Sequence, residues 1–468
     1  MLATAAGARA AAAPTLTMIE PLDETVARPM VHVEASCDAA GAPCATITLL
    51  EQTNGAEPRT QLGTWQDVSH VSIDVEVPDG ATFDLELHAT DDAGTGTMLT
   101  RRVYGDTSPA LHEVFSADGT IYDADLDRVL YEADGASWIF HRDGCARERI
   151  GAGSAQALTP HGALLATCSG GCTLDEWRDG ARLARGPVDP SSLRVVDGFA
   201  VWSEGYEPGP LHRLDLSTGI DTIVSSSATP GSGAVGSDGS VTYSVAGAAG
   251  GHIAHRWAAG GDVALGPGDL SATDGTLSIF TDDDGACALR LYSGGASEEL
   301  STLCTSPAYL ASVRAGWIAF VRPDSSGSRQ LWTRSPAGAL AQLTTTGCNL
   351  APPLAPDGSV IARATIDNDS ARWLLAAGAA PVAITHSDPH LIKHTGGHWL
   401  VAIGRALFSL DDGLASCATS TVDPPAPIES SADTPAGGCS ATRAPSSWLF
   451  ASTLALLCTQ RRRRNRKI

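Results

Sequence analysis

The chain has 468 residues, enough for two or three domains and a sizeable core. Its formal net charge is −22, so the body should repel nucleic acid and anionic lipid headgroups, and nucleic acid is excluded as a partner. Charged residues make up only 18% of the chain and it carries 49 glycines, the balance of a turn-rich β protein.

Residues 1–13, MLATAAGARAAAA, end in small residues like a signal-peptide cleavage region, as in Ala8-Arg9-Ala10, but lack a charged start and a strong apolar core. They are read as the remnant of an export signal. Residues 14–110 carry strand-like runs of even spacing: TLTMIEP, MVHVEAS, ATITLLE, VSIDVEV, TFDLELHATD and LTRRVYGD. Such runs predict a β-sandwich. Its close, ATDDAGTGTMLTRRVYGDTSP, resembles bacterial immunoglobulin-like domains of surface proteins, which implies a spacer or adhesive role. A Cys37–Cys44 pair is expected to staple a loop there rather than bridge the sheets, and Thr107–Leu111 reads as a short linker.

Residues 111–413 are repetitive. In Ala351–Ile366, APPLAPDGSVIARATI, a strand is followed by an Asp357-Gly358 turn and a second strand. Val360, Ala362, Ala364 and Ile366 fall on one face of that second strand, and Ser359, Ile361, Arg363 and Thr365 on the other. Similar turns stand at His161-Gly162, Asp197-Gly198, Asp238-Gly239, Asp274-Gly275, Ala315-Gly316 and Gly396-Gly397. A third strand follows in each unit, usually with a ring: Trp138, Trp177, Trp257, Tyr292, Trp332, Trp373 or Phe408, with Leu214 in the third unit. A fourth, more polar strand completes the unit. Four short strands in a period of about forty residues predict a β-propeller of about eight blades, with seven as the fallback count.

The last unit is one strand short, and the first is preceded by a spare run, HEVFSAD (His112–Asp118). Pairing the two would close the ring and remove an open edge. The stretch LTTTGCNLAPPLAPDGSVIARATI, with ARWLLAAGAAPVAIT after it, resembles the TolB-like repeat. That resemblance implies a propeller with a binding or scaffolding role and carries no catalytic residues.

Eleven cysteines is a high count for a reducing compartment, and the close pairs Cys37/Cys44, Cys168/Cys172 and Cys287/Cys304 suit local disulfides. Cys168-x-x-x-Cys172 has half the spacing of a zinc site, but no second half. Residues 414–438 are rich in Ser, Thr, Pro and Ala and read as a disordered spacer.

Residues 439–468 combine Gly438-Cys439, a short apolar run (Trp448, Leu449, Phe450, Leu454, Leu456, Leu457) and a basic stop (Arg461, Arg462, Arg463, Arg464, Arg466, Lys467). The run predicts a short hydrophobic helix, and the basic block would stay on the cytoplasmic side. The pattern resembles the myxobacterial C-terminal sorting tail, MYXO-CTERM. That resemblance implies export, a membrane anchor, processing near Cys439 by a dedicated protease, Cys439 as a candidate for lipidation, and display at the cell surface. A plain tail anchor is the alternative; both place the body outside the cytoplasm.

His386, His390, His394 and His398 recur every four residues, but on a strand such positions stand about 13 Å apart and cannot share one ion. Asp123, Asp125 and Asp127 alternate like a calcium loop without its glycine or closing glutamate. There is no Gly-x-Ser-x-Gly elbow, phosphate loop or dinucleotide fingerprint. The expectation is therefore an all-β, exported, non-enzymatic protein with no cofactor or metal, offering its propeller to a protein or glycan. The alternatives are an extracellular propeller enzyme of lyase or glycosidase type acting at the channel mouth, and a structural envelope component. Convergence of carboxylates, arginines or histidines from several blades on one channel end would favour the enzyme.

Overall fold

A computed structural model describes residues 13–53, 58–248, 250–259, 261–282, 288–302, 311–345, 352–411 and 414. The export-signal remnant up to residue 12, Cys287, Cys304, the spacer beyond residue 414, Cys439 and the whole C-terminal tail lie outside the described residues. Among the described residues the elements are strands, with one 3-10 turn at Pro190–Ser192.

Strands β1 (Thr15–Glu20), β2 (Thr25–Ala27), β3 (Met30–Asp38), β4 (Cys44–Thr53), β5 (Thr60–Val68), β6 (His70–Glu76), β7 (Thr82–Thr90) and β8 (Gly96–Gly105) form the sandwich. One sheet runs β1-β3-β6 and the other β2-β8-β7-β4-β5. Alternate residues fill the space between them: Val31, Val33 and Ala35 from β3 meet Ile47 and Leu49 from β4 and Leu85 and Leu87 from β7. Strand β5 has no counterpart among the predicted runs, because this edge strand buries no residue completely and shows no apolar alternation.

Cys37 and Cys44 are disulfide-bonded, as are Cys168 and Cys172. The first pair corrects one expectation. Cys37 ends β3 and Cys44 begins β4, and these strands belong to opposite sheets, so the bond joins the two layers. Cys168–Cys172 closes a hairpin within one blade. Cys145 is disulfide-bonded as well.

The rest of the described chain forms eight blades, at 120–151, 154–187, 194–228, 234–267, 269–302, 311–342, 354–385 and 391–409. The third and fourth merge into one eight-stranded sheet through the Ala228–Val245 pair. The seventh has three full strands plus the single Leu354–Val360 bridge. Strand β9 (His112–Ser116) pairs antiparallel with Ala406–Ser409, so the ring closes as the sequence predicts.

The core lies between blades. The second strand of each blade is packed on both faces, which gives a continuous buried run rather than a half-buried alternation. Ile318, Ala319, Phe320 and Val321 are all inaccessible. In the seventh blade, Val360, Ala362 and Ala364 pack with Ala319 and Leu331 of the sixth, while Ile361 packs with Trp399 and Val401 of the eighth. Ala200 and Trp202 likewise meet Leu164 and Leu174 of the second blade, and Val201 meets Val241 and Tyr243 of the fourth.

The first-to-second-strand turns need positive φ, and Asp197, Gly198, Ala315, Gly316 and Gly358 supply it. A side chain on Gly358 would strike the Trp317 ring of the preceding blade.

The sandwich is fastened to the seventh and eighth blades. Asp106 accepts from Thr385, Ser387 donates to the Gly105 carbonyl at 2.9 Å, and Arg405 donates its backbone N–H to Glu24 at 3.1 Å. Val26 and Tyr104 pack on the cluster shared by those blades, and Leu111 is buried within it. The segment Thr107–Leu111 is thus partly a core element, not a free linker.

Candidate ligand site at the channel mouth

Strand direction alternates within a blade, so all first-to-second-strand hairpins gather at one end of the channel. Gly404, Arg405 and Thr385–Ser387, which hold the sandwich, lie at the opposite end. The hairpin end opens on a cavity of about 630 Å³ to which every blade contributes. Asp123, Ala157 and Asp197 come from the first three blades, Ser237 and Asp274 from the next two, and Arg314, Pro356 and Lys393 from the last three.

Two of the lining carboxylates are committed to the frame. Asp123 is buried; it accepts from the Ala124 and Leu158 backbone N–H groups at 2.8 and 2.9 Å and from Lys393 Nζ at 2.6 Å. Asp274 accepts from the Thr276, Leu277 and Gly316 N–H groups at 3.2, 3.0 and 2.8 Å, locking its own turn and that of the next blade. The cations are tethered more lightly. Arg314 reaches past the reduced first strand of the seventh blade to the His394 carbonyl, at 3.0 Å. Arg194 is exposed and donates to the Ser191 and Leu193 carbonyls at 2.8 Å.

His394 also lines the cavity, with its ring edge-on to Trp399 at 5.1 Å. Its Nδ1 is buried and has no hydrogen-bond partner. Burial first, and then the Arg314 charge, lower its pKa, so the ring is held neutral. Tyr122, a partly exposed residue of the first blade's inner strand, also lines the cavity; burial, followed by Glu132, raises its pKa.

The other residues singled out from sequence are dispersed. His386 bridges Asp79 and Asp369, His390 bonds the Ile121 carbonyl, and His398 bonds Asp411. Asp125 caps its own turn and pairs with Arg128. Among the described residues no cluster of three or more His, Cys, Asp or Glu could hold a metal, and no helix is long and apolar enough to cross a membrane. Most of the third-strand rings pack between blades: Trp373 and Phe408 are buried, and Trp138, Trp177, Trp257 and Trp332 lean on the inter-blade clusters. Sequence reading missed Arg194, Arg314 and Lys393, which stand far apart in the chain with no shared motif. The common signal is position, because each belongs to the first strand of a repeat.

The fold defines an all-β propeller protein. No family model matches the chain, and no curated protein matches it. Solved structures similar to it include the computationally designed Ika8 protein, at 13% identity and TM-score 0.38, covering 64% of this chain and 98% of that one. Tricorn protease is 10% identical with TM-score 0.34, covering 77% of this chain and 44% of its own. Puromycin hydrolase is 14% identical with TM-score 0.30, covering 60% and 57%. Two of these three are a protease and a hydrolase, and that finding overturns the expectation of a non-enzyme. At such identity neither activity passes to this chain.

Proposed function

We propose that this is an exported, surface-displayed binding protein whose ligand enters the propeller channel at the hairpin end. The carrying observation is the cavity built by all eight blades, which the sandwich leaves open. The sandwich then acts as a spacer and the C-terminal tail as the anchor. The disulfides Cys37–Cys44 and Cys168–Cys172 support a life in an oxidising compartment. Processing at Cys439 is tested by mass spectrometry of the mature C-terminal peptide from fractionated cells; an unprocessed cytosolic chain would overturn the localisation.

The binding test is a glycan and peptide array probed with the full chain and with Ala157→Trp, which fills the channel from the second blade. Retained thermal stability with loss of the array signal supports the site. An unchanged signal, or none from the wild type, overturns it.

The convergence of Arg314, Lys393, Asp123 and neutral His394 on one channel end favours a second reading, an enzyme acting at the same mouth. Release of product from any array ligand would establish it.

A further inference from the structure

The hydrogen-bonding capacity left uncommitted at the channel mouth is mostly donor capacity. The described lining residues include three carboxylates and three cations, although the chain as a whole carries −22. Asp123 and Asp274 spend their oxygens on backbone N–H groups and, for Asp123, on Lys393. Asp197, on its exposed turn, is the carboxylate left over. On the other side, Arg314 uses Nη1 on one carbonyl, Arg194 uses Nη1 on two, and Lys393 pairs with one carboxylate. A guanidinium offers five N–H donors and an ammonium three, so most of these remain open.

The donors come from the third, sixth and eighth blades, so they are spread around the rim rather than gathered at one point. A ligand that uses them together needs acceptor charge at intervals. Between them the wall offers Gln156, Ser237 and Thr395, together with the partly exposed Tyr122. Hydroxyl-bearing rings can bond such groups and lie against an aromatic face.

We infer that the channel mouth binds an acidic oligosaccharide, with carboxylates of successive sugar units on Arg194, Arg314 and Lys393. A single peptide terminus brings one carboxylate and would leave two of the three cations unused; a run of acidic side chains lacks the rings that suit Tyr122. The inference rests on the proposed channel site and adds the chemistry of its ligand.

The test is titration calorimetry of the full chain with a mannuronate trisaccharide, its carboxyl-reduced counterpart and a triglutamate peptide, at low and high salt. The expected result is binding of the mannuronate that weakens with salt and falls about tenfold or more on carboxyl reduction. Arg314→Gln and the exposed Arg194→Gln should each lower affinity about tenfold, and Arg314→Lys should restore part of it. Equal binding of the reduced sugar, tighter binding of triglutamate, or no binding of mannuronate would overturn the inference. Its failure and that of the channel site are distinguishable. A neutral array ligand lost in Ala157→Trp leaves the site standing without the carboxylate chemistry; mannuronate binding untouched by Ala157→Trp removes the site itself.

Discussion

His386 ties Asp79 to Asp369, and with them the sandwich to the seventh blade: its Nε2 lies 2.7 Å from Asp369, and its Nδ1 meets the Asp79 carboxylate. Burial lowers the pKa of the ring, but bonds to Asp369 and Asp79 outweigh it and the net shift is upward. The contact is therefore at full strength below the ordinary histidine value of about 6.5 and weakens as pH rises through the raised value. Burial raises the pKa of nearby Asp106 above its ordinary value. Thermal unfolding should show a loss of stability as pH rises above about 6.5, flattened in His386→Gln. An identical pH slope in the variant would rule this out.

Ring closure should depend on Phe115. Its ring stacks on Phe140 at 4.3 Å and lies 5.7 Å from Tyr131, so the closing strand β9 is packed on the first blade as well as paired with the eighth. Phe115→Ala should cost about 3–5 kcal/mol. Denaturant unfolding would measure it, and amide exchange should quicken first at 406–409 and 112–116.

In the third blade Trp202 is fully buried and stacks on His212 at 4.9 Å. His212 Nε2 is 2.9 Å from Glu204 and Nδ1 is 3.1 Å from Asp221. Burial opposes the charged ring, yet the bonds to Asp221 and Glu204 raise its pKa overall. This stabilisation has the same sign as that of His386: complete below about 6.5 and lost as pH rises through the raised value. His212→Gln should remove a separate share of the loss above about pH 6.5. Trp202→Ala should cost about 3–5 kcal/mol through the cavity it leaves.

The inter-sheet bond predicts unequal effects of the two disulfides. Replacing Cys37 and Cys44 with alanine should lower stability by about 2–3 kcal/mol in a chain-entropy account. Cys168–Cys172 spans a shorter loop whose register is already set by pairing on both sides, so its removal should cost less. Calorimetry of the two double variants would compare them directly; a larger loss for Cys168/Cys172 would contradict the argument.

The ring was legible in the sequence because its demands are local. A turn such as Asp197-Gly198 needs positive φ, and a strand such as WIAFVRP needs apolar residues on both faces. The closing strand was legible because one unit lacked what a spare run supplied. The fastening of the sandwich was not, since Asp79, Asp106, Thr385 and His386 meet across nearly three hundred residues and each alone is an ordinary turn or strand residue. The channel mouth was hidden for the same reason: Arg194, Arg314 and Lys393 are unremarkable until the ring places them on one rim. Strand β4 starts in the opposite sheet to the end of β3, a crossing that the spacing of Cys37 and Cys44 does not reveal.

His112 and Ser409 are direct partners in the β9 pairing, so the polypeptide enters and leaves the ring side by side. Tension drawn through the chain from both directions would open this seam like a zipper, one hydrogen bond at a time, instead of shearing all of them together. The other seven blades would carry none of that load. The packing of Phe115 on Phe140 and the grip of the sandwich on the seventh and eighth blades are then what give the molecule its mechanical strength.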